Sequence, residues 1–315
     1  MSIEPVNPSS TPFARVILVG GAGFIGAEVS RQLLDSGLQV HVVDSILEIV
    51  YPDNGRLERL QTIQHPDFSF EVRNASDLSL GDLDGFDVVI NLAAAPGLLP
   101  SWVNFLHYAE NNLGLVGHLA QLCSLAGVHL IHASTSSVFG ERALPGGSRV
   151  PNSPYGLTKL AAEQTLELFG SSRDLRYSIL RLFSVYGPNQ RPDQFFRTVV
   201  EKLSAGSEIS VTGDGSQTRS NAYLADVGRA FLMATRSKPL MESVDVAGNE
   251  QYSILQVIDL ISGIMGVKPK VRFIEARLGD QAETYGDLDK TRRLLGWEPS
   301  TRFEDGIRMM VDSLV

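Results

Sequence analysis

Tyr155 and Lys159 stand four residues apart and carry the side chains that acid–base chemistry needs. Ser153 and Pro154 precede them, and these residue types favour the N-cap and the first turn of a helix. A helix that begins there places Tyr155 and Lys159 on one face. A phenol has a pKa of about 10 and is a poor base at neutral pH, but a nearby ammonium group lowers that pKa. The spacing therefore predicts a tyrosine that exchanges a proton with a bound hydroxyl group.

Four consecutive hydroxyl side chains, residues 134–137, come before this helix and directly after a predicted strand at residues 129–133. In doubly wound sheets, ligands bind at the carboxyl ends of the strands. Taken alone, the Tyr-x-x-x-Lys spacing also fits an exposed helix, and the hydroxyl run also fits a polar loop. Their occurrence together favours one ligand site that both segments form.

A glycine-rich turn at residues 20–26 leaves an apolar strand and opens an amphipathic helix, which is the context of a dinucleotide site. Gly20 permits the tight turn, Gly23 lets the backbone approach a pyrophosphate, and Gly26 allows close packing of the helix on the strand. The N-terminus of that helix also offers N–H groups to phosphates. Asp44 ends the next strand, where an acidic residue accepts hydrogen bonds from the adenosine ribose. Because a carboxylate there repels a 2′-phosphate, the sequence predicts NAD and not NADP.

Short apolar runs alternate with helical patterns through the first half of the chain. The runs at residues 14–19, 39–43, 87–92, 129–133 and 177–183, with a weaker one at 68–72, predict parallel strands covered on both faces. The predicted fold class is α/β, a doubly wound parallel sheet of the Rossmann type, followed by a smaller and discontinuous C-terminal substrate lobe. Helical patterns in that lobe lie at residues 194–205, 254–265 and 288–295.

We expect the following division of the chain. Residues 1–12 are a disordered arm, residues 13–182 form the NAD-binding domain with a return strand near 243–248, and residues 183–242 and 249–315 form the substrate-binding lobe.

The bulk composition limits the partners of the chain. A formal net charge of −9 argues against nucleic acid as the main partner. No apolar run is long enough to span a bilayer, and the N-terminus lacks the pattern of a signal peptide. The single Cys123 cannot form an internal disulfide, which fits a reducing compartment. We therefore expect a cytoplasmic protein that has no membrane partner and no metal site.

Further motifs accompany these segments. They are Leu92-Ala93-Ala94, Asn111 with Gly114, Val138-Phe139-Gly140, Arg181 through Pro188, Gln190 through Asp193, Gly213-Asp214-Gly215 with Thr218-Arg219, Asp226, Arg277 through Asp280, and Leu295-Gly296-Trp297. As a set, from about residue 15 to 307, they resemble the extended short-chain dehydrogenase/reductase family. The resemblance is to its nucleotide-sugar 4-epimerases and dehydratases in particular.

The resemblance implies a role for each matching residue. Thr135 bonds to the sugar O4, Tyr155 is the catalytic base, and Lys159 also holds the nicotinamide ribose. The cofactor-binding residues expected are Gly20, Gly23, Phe24, Ile25, Gly26, Asp44, Asn74, Ala75, Leu92, Ala93, Ala94, Asn111, Ser134, Tyr155 and Lys159. The substrate-binding residues expected are Pro96, Gly97, Ser136, Ser184, Arg191, Arg219 and Arg277. Of these, Arg219 and Arg277 match arginines that hold the diphosphate, and a planar guanidinium suits phosphate bidentately.

Several positions depart from the family pattern. Asn74 stands where the family has Asp, and it still offers an acceptor oxygen to the adenine. Leu99 replaces a basic residue that bacterial UDP-glucuronate 4-epimerases often carry, and Ser184 stands where relatives have Asn or Thr. Ser220 and Asn221 replace an Asp-Phe pair. The catalytic core is intact, but these departures leave the identity of the sugar open.

The resemblance implies an NAD-dependent nucleotide-sugar 4-epimerase that acts on a UDP- or dTDP-hexose or hexuronate through a 4-keto intermediate. A dehydratase or a uronate decarboxylase on the same fold is the nearest alternative. A non-catalytic NAD-binding sensor is the alternative of another class, and the intact Thr135, Tyr155 and Lys159 set argues against it. The family also implies a homodimer through the helices that begin near Ser101 and Ser153. The apolar residues expected at that interface are Leu113, Val116, Leu119, Leu122, Leu160 and Leu166.

Overall fold

The structure is a computed structural model that describes residues 14–46, 55–276 and 279–315. Its strands are β1 (Arg15–Val19), β2 (Gln39–Asp44), β3 (Phe68–Val72), β4 (Val88–Asn91), β5 (His129–Thr135), β6 (Arg142–Ala143), β7 (Tyr177–Leu182), β8 (Val185–Tyr186), β9 (Glu208–Thr212), β10 (Thr218–Ser220), β11 (Ala222–Tyr223), β12 (Ser243–Val246), β13 (Gln251–Ser253), β14 (Lys270–Ile274) and β15 (Glu283–Thr284). The expected arm at residues 1–12 and the expected substrate residue Arg277 lie outside the described residues.

The helices alternate with the strands in the first half of the chain. In the second half, more residues lie in helices than in strands. The helices are α1 (Phe24–Asp35), α2 (Arg56–Gln61), α3 (Leu98–Val103), α4 (Phe105–Ala109), α5 (Leu115–Ala126), α6 (Pro154–Arg173), α7 (Phe195–Ser204), α8 (Leu224–Arg236), α9 (Ile254–Met265), α10 (Leu288–Leu295) and α11 (Phe303–Asp312). A π-helical turn, Glu110–Gly114, joins α4 to α5. Within the described ranges, none of these helices combines the length and apolar character that a bilayer span requires.

Seven strands form one parallel sheet in the order β12-β7-β5-β4-β1-β2-β3. Alternate side chains of each strand point to opposite faces, and both faces are apolar. Val16 and Leu18 of β1 join one core beneath α1, α8 and α10, while Ile17 and Val19 join a second core beneath α5 and α6. A sheet covered by helices on both faces confirms the predicted doubly wound α/β class.

The sheet order places a topological switch point in the middle of the molecule. β1 has β2 on one side and β4 on the other, so the chain leaves β1 in one direction and returns to its opposite side. Doubly wound proteins bind ligands in the crevice outside the carboxyl ends of the strands at such a point. A ligand site is therefore expected among the loops that follow β1, β2, β4, β5 and β7.

The C-terminal half builds a second layer over this edge. A four-stranded sheet has the order β13-β10-β15-β6, and β9 pairs with β14. A separate apolar core holds α7, α9 and α11 together, with Phe196, Val257 and Ile307 buried at its centre. β6, which follows β5 in the chain, belongs to the second sheet, so this layer is tied directly to the loop that carries the hydroxyl run.

Candidate active site

A cleft of about 770 Å³ opens at the carboxyl edge of the central sheet. It is lined by the glycine turn after β1, by Asp44 at the end of β2, by the hydroxyl run after β5, and by Tyr155 and Lys159 of α6. Two groups of residues that the sequence singled out for different reasons thus line a single cavity. That arrangement lets a ligand bound at the glycine turn extend to the Tyr155 hydroxyl.

Most of the expected site residues line this cleft. Those that do so are Gly20, Gly23, Phe24, Ile25, Gly26, Asp44, Leu92, Ala93, Ala94, Pro96, Asn111, Ser134, Thr135, Ser136, Tyr155, Lys159, Ser184, Arg191 and Arg219. Three expected residues do not: Asn74 caps a short 3₁₀ turn through its side chain, Ala75 packs in the core beneath α5, and Gly97 is the N-cap of α3.

Glycine occupies the three positions of the turn for different reasons. Gly20 has a φ of +83°, and a Cβ there would lie 2.7 Å from the Ala93 nitrogen. A Cβ on Gly26 would lie 2.3 Å from the Gly20 oxygen, so the packing of α1 on the turn requires glycine. At Gly23 the nearest atom to a Cβ would be 3.4 Å away. The fold itself does not demand glycine at position 23, which fits an approach by a ligand phosphate to that backbone.

Asp44 is nearly buried and is oriented by the backbone. Its Oδ2 accepts from the Ala22 N–H at 3.0 Å, and its Oδ1 accepts from the Ile46 N–H at 2.9 Å. The first bond connects the end of β2 to the glycine turn. Each carboxylate oxygen keeps a further lone pair for a ribose hydroxyl, so this end of the cleft fits the adenosine ribose of NAD.

Tyr155 and Lys159 are positioned by the start of α6. The Ser153 hydroxyl accepts from the Gly156 N–H at 3.1 Å, and Pro154 occupies the first turn, as predicted. The Lys159 Nζ donates to the Ala133 carbonyl at 2.7 Å and lies 3.1 Å from His132 Nε2. Burial lowers the pKa of Lys159 to about 7, while the charge of Glu163 opposes that shift. A lysine with such a pKa can gain and lose a proton under physiological conditions.

Glu163, one turn further along α6, is a buried carboxylate that the sequence reasoning missed. Arg181 of β7 binds it with two hydrogen bonds of 2.8 and 2.7 Å, and Arg149 adds a third at 3.2 Å. The Ser134 hydroxyl also donates to it at 2.5 Å. The signal in the sequence was Glu163 at four-residue spacing from Lys159, on the buried face of the same helix.

The hydroxyl run is held in place by hydrogen bonds, some of them from the second layer. The Thr135 Oγ1 accepts from the Ser137 N–H at 3.2 Å, which caps the 3₁₀ turn Ser136–Phe139. The Ser136 hydroxyl donates to Gln281 Oε1 at 3.1 Å, and Gln281 Nε2 donates to the carbonyls of Ser136 and Gly140 at 3.1 and 2.7 Å. Gln281 is therefore a functional candidate that sequence reasoning did not find, 145 residues away from Ser136 in the chain.

Two of the expected substrate-binding arginines, Arg191 and Arg219, line the cleft. Arg219 on β10 donates to the carbonyls of Thr218 and Gln281 at 2.8 and 2.5 Å, and burial lowers its pKa while Asp280 opposes that effect. Arg191 forms two hydrogen bonds with Asp193, at 2.9 and 3.0 Å. The cleft therefore has positive groups at the end opposite to Asp44.

Comparison with known proteins identifies the family of this chain. Residues 16–247 match the model of the NAD-dependent epimerase/dehydratase family. The chain belongs to this family. It is 33% identical over 304 residues to an uncharacterized UDP-glucose epimerase of Bacillus subtilis, covering 93% of this chain and 95% of that one. It is 30% identical to the UDP-glucuronate 4-epimerase of Thermodesulfobacterium geofontis over 308 residues, covering 94% of each chain.

A solved structure gives the same result. UDP-glucuronic acid 4-epimerase from Bacillus cereus, in complex with UDP-glucuronic acid and NAD, superposes with a TM-score of 0.90 at 31% identity. The match covers 95% of this chain and 98% of the other. The resemblance drawn from the motifs is confirmed, and so is NAD as the cofactor, since the family is NAD dependent.

Proposed function

We propose that this chain is an NAD-dependent 4-epimerase of a UDP-sugar, with UDP-glucuronate as the first substrate to test. The observation that carries the proposal is one cleft that contains the glycine turn and Asp44 at one end and Thr135, Tyr155 and Lys159 at the other. Three relatives matched over nearly their full length are named as UDP-sugar epimerases, two of them for glucuronate. The choice of UDP over dTDP follows from those relatives.

The side chains of the cleft divide the work of such a reaction. Tyr155 takes the proton of the sugar 4-hydroxyl and later returns it, and the Thr135 hydroxyl bonds to O4. Lys159 balances the charge of the phenolate that results. When bound, NAD supplies the acceptor and donor for the hydride at C4. Arg219 holds the diphosphate, which keeps the nucleotide fixed while the sugar ring turns.

The absence of carboxyl groups beside Thr135 argues against dehydration. Elimination of water needs a general acid and a general base near the sugar, and Ser136 and Ser137 follow Thr135 instead. Among the described residues that line the cleft, the carboxylates are Asp44 at the glycine turn and Asp280 near Arg219. The groups that proton exchange at O4 needs, Thr135, Tyr155 and Lys159, are all present. A hexuronate substrate also loses CO₂ readily after oxidation at C4, so the mass of the product must be measured.

The deciding experiment is incubation of the purified protein with a panel of UDP- and dTDP-hexoses and hexuronates. NMR and mass spectrometry then identify the products. Epimerisation gives a product of unchanged mass that is inverted at C4, with no net NADH. A product lighter by one water would identify a dehydratase, and one lighter by CO₂ a decarboxylase. No turnover of any sugar, with NAD bound, would favour the sensor.

We also propose a homodimer, but through different residues from those expected. Five of the six apolar residues expected at the interface are buried in the core of the single chain: Val116, Leu119, Leu122, Leu160 and Leu166. The large apolar residues that α3, α4 and α6 expose are Leu99, Trp102, Val103, Phe105, Leu106, Leu157 and Leu168. A face of this kind fits a second copy of the chain. Light scattering at micromolar concentration tests it, and a monomer there would exclude the dimer.

A cytoplasmic location stays part of the proposal. Its support is the one cysteine of the chain, Cys123, which is a buried thiol without a disulfide partner. Fractionation of cells that express a tagged chain would test the location directly.

A further inference from the structure

A buried asparagine joins the loop after β4 to helix α6. Asn112 lies in the π-helical turn between α4 and α5 and is 0% exposed. Its Oδ1 accepts from the Ala95 N–H at 2.7 Å, and its Nδ2 donates to the Ala95 carbonyl at 3.1 Å. The same Nδ2 donates to Thr158 Oγ1 at 3.1 Å. The amide therefore uses its acceptor oxygen and both of its N–H groups inside the protein.

The two bonds to Ala95 replace the strand pairing that this residue lacks. β4 ends at Asn91, and the chain then leaves the sheet and lines the cleft with residues 92–96. Ala95 is 4% exposed, so its N–H and its carbonyl need partners within the protein. Because one amide binds both groups of Ala95, it fixes the orientation of the loop as well as its position.

Tyr108 of α4 makes a second attachment to this loop. It is 0% exposed, and its hydroxyl donates to the Pro96 carbonyl at 2.6 Å. Its ring meets the ring of Tyr155 edge to face, with the centroids 6.3 Å apart and an angle of 83° between the planes. Tyr108 therefore contacts both the loop and the side chain that the proposed function makes the base.

Thr158 connects Asn112 to the backbone of Tyr155. Its hydroxyl accepts from Asn112 and donates to the Tyr155 carbonyl at 2.9 Å. At the residue after Tyr155, a Cβ on Gly156 would lie 2.5 Å from the Ser137 carbonyl oxygen, so the start of α6 also packs directly on the hydroxyl run. Two segments of the cleft, the loop after β4 and the hydroxyl run, thus hold the backbone that carries Tyr155.

We propose that Asn112, acting through Thr158, is a positioning residue for Tyr155. Neither Asn112 nor Thr158 lines the cleft, so both act without touching the ligand. The proposal rests on the proposed function, in which Tyr155 exchanges a proton with the sugar 4-hydroxyl. That exchange needs the two oxygens within hydrogen-bond reach, and a misplacement of about 1 Å costs about 10² in rate. The link keeps the loop and the start of α6 at a fixed separation.

Thr158→Val tests the proposal with a small change of shape. The variant loses the hydroxyl that links Asn112 to Tyr155, but it keeps both bonds between Asn112 and Ala95. We expect kcat to fall about tenfold or more, while KM for the sugar nucleotide and NAD affinity stay within about twofold. Thr158→Ser keeps the hydroxyl, so this variant should have the kcat of the wild type.

The matched control is Thr165→Val on the same helix. Thr165 Oγ1 donates to the Ala161 carbonyl at 2.8 Å, so this variant also loses a hydroxyl that bonds to the helix backbone. A purely structural role of Thr158 would lower the melting temperature of both variants and leave kcat unchanged in both. Positioning of Tyr155 lowers kcat in Thr158→Val only.

Asn112→Leu extends the test to the loop. It removes all three hydrogen bonds of the amide, two of which hold Ala95. Because the loop that Ala95 belongs to lines the cleft beside the glycine turn, NAD affinity should fall together with kcat. Thr158→Val and Asn112→Leu therefore differ in NAD affinity but share the loss in kcat.

A measurement without turnover separates this proposal from the 4-epimerase proposal. NMR of the NAD-bound protein with ¹³C in its tyrosine rings reports on Tyr155, whose signal is assigned with Tyr155→Phe. That signal should shift or broaden in Thr158→Val and stay unchanged in Thr165→Val. An unchanged signal in Thr158→Val, or equal kcat values for the two valine variants, would overturn the positioning role. Failure of the 4-epimerase proposal would instead appear as the absence of an inverted product while the NMR difference holds.

Discussion

The two ends of the cleft are built in different ways. The glycine-turn end comes mainly from one stretch, residues 20–46. Its geometry is set by backbone contacts: the close approach of Gly26 to Gly20, and two N–H bonds to Asp44. The hydroxyl end draws on distant segments. Gln281 reaches across 145 residues to hold Ser136, and Arg219 is held by the Gln281 carbonyl.

Because of this difference, we expect NAD binding to depend on one end of the cleft and selectivity for the sugar nucleotide to depend on the other. The glycine-turn end, which the backbone forms, tolerates most side-chain changes but no added volume at its tight glycines. At the hydroxyl end, which side chains form, a single substitution can change the ligand contacts, because each hydrogen bond has its own donor and acceptor. We therefore expect added volume at the tight glycines of the glycine-turn end to change NAD binding and stability together. Variants at the hydroxyl end should change turnover while NAD stays bound.

The largest effect is expected from Tyr155→Phe. Only the titrating hydroxyl is removed, and general acid–base groups typically contribute about 10²–10⁴ in rate. The turnover number should fall within that range, with NAD still bound, as measured by product assay and by the absorbance of the extracted cofactor. Tyr177→Phe is the control, because it removes a phenol hydroxyl on β7 that donates to the Met241 carbonyl at 2.9 Å. Activity of Tyr155→Phe within about threefold of wild type would exclude Tyr155 as the base.

Gly26→Ala and Gly23→Ala together test whether steric packing or ligand approach requires each of these glycines of the turn. At Gly26 the new methyl group would lie 2.3 Å from a backbone oxygen, and overpacking of that kind costs about 1–3 kcal/mol. Thermal unfolding should show that loss, and NAD should be lost with it. Gly23→Ala should keep the melting temperature and weaken NAD alone. Equal melting temperatures for both variants would contradict the steric argument.

Gln281→Leu tests the hydroxyl end. It removes three hydrogen bonds and leaves the Ser136 and Gly140 carbonyls without that donor, at about 1–3 kcal/mol for a buried unsatisfied group. We expect kcat/KM for the sugar nucleotide to fall about tenfold or more, with unchanged NAD affinity by titration calorimetry. A loss of NAD affinity as large as the loss in kcat/KM would show that the two ends are not separate.

Asp44→Asn should give the smallest effect. An amide keeps one acceptor oxygen, so one of the bonds from Ala22 and Ile46 is lost, together with the negative charge. NAD affinity should fall about tenfold, which is about 1.4 kcal/mol, and the preference for NAD over NADP should narrow. Binding measured by calorimetry with both cofactors checks this. A preference for NADP in the wild type would show that the role assigned to Asp44 is wrong.

The sequence predicted the central sheet closely because its strands are buried on both faces. The observed β3, α9 and α10 have the predicted bounds, and β1, β2 and β7 agree within a residue or two. The short helix α2 and the four-stranded sheet were not predicted, and the helix expected to begin near Ser101 is divided into the short helices α3 and α4. Each of these elements is too short to show a hydrophobic period, and tertiary contacts decide its form. The expected division into two domains stays a prediction.

The candidate site was predictable where a local motif carries it. The glycine turn, Asp44, Tyr155 and Lys159 all line the cleft. Gln281 and Glu163 were missed, because Gln281 acts from a distant segment and Glu163 is buried only through its pairing with Arg149 and Arg181 of other segments. Five of the six residues expected at a dimer interface are buried in the chain's own core, and the physical reason is plain. The apolar period of α5 and α6 shows which face is buried, but it cannot tell whether the chain's own sheet or a second copy covers that face.

The burial of Lys159 also has a consequence for the folded state as a whole. A lysine in an unfolded chain titrates near pH 10.4, whereas burial lowers the pKa of Lys159 to about 7. Between these two values the unfolded chain binds more protons than the folded one, so the free energy of unfolding rises with pH across that window. Below pH 7 this contribution is absent, because Lys159 is then charged in both states. Alkaline conditions should therefore strengthen the fold through this residue, and Lys159→Met should flatten the slope in urea unfolding between pH 7 and pH 10.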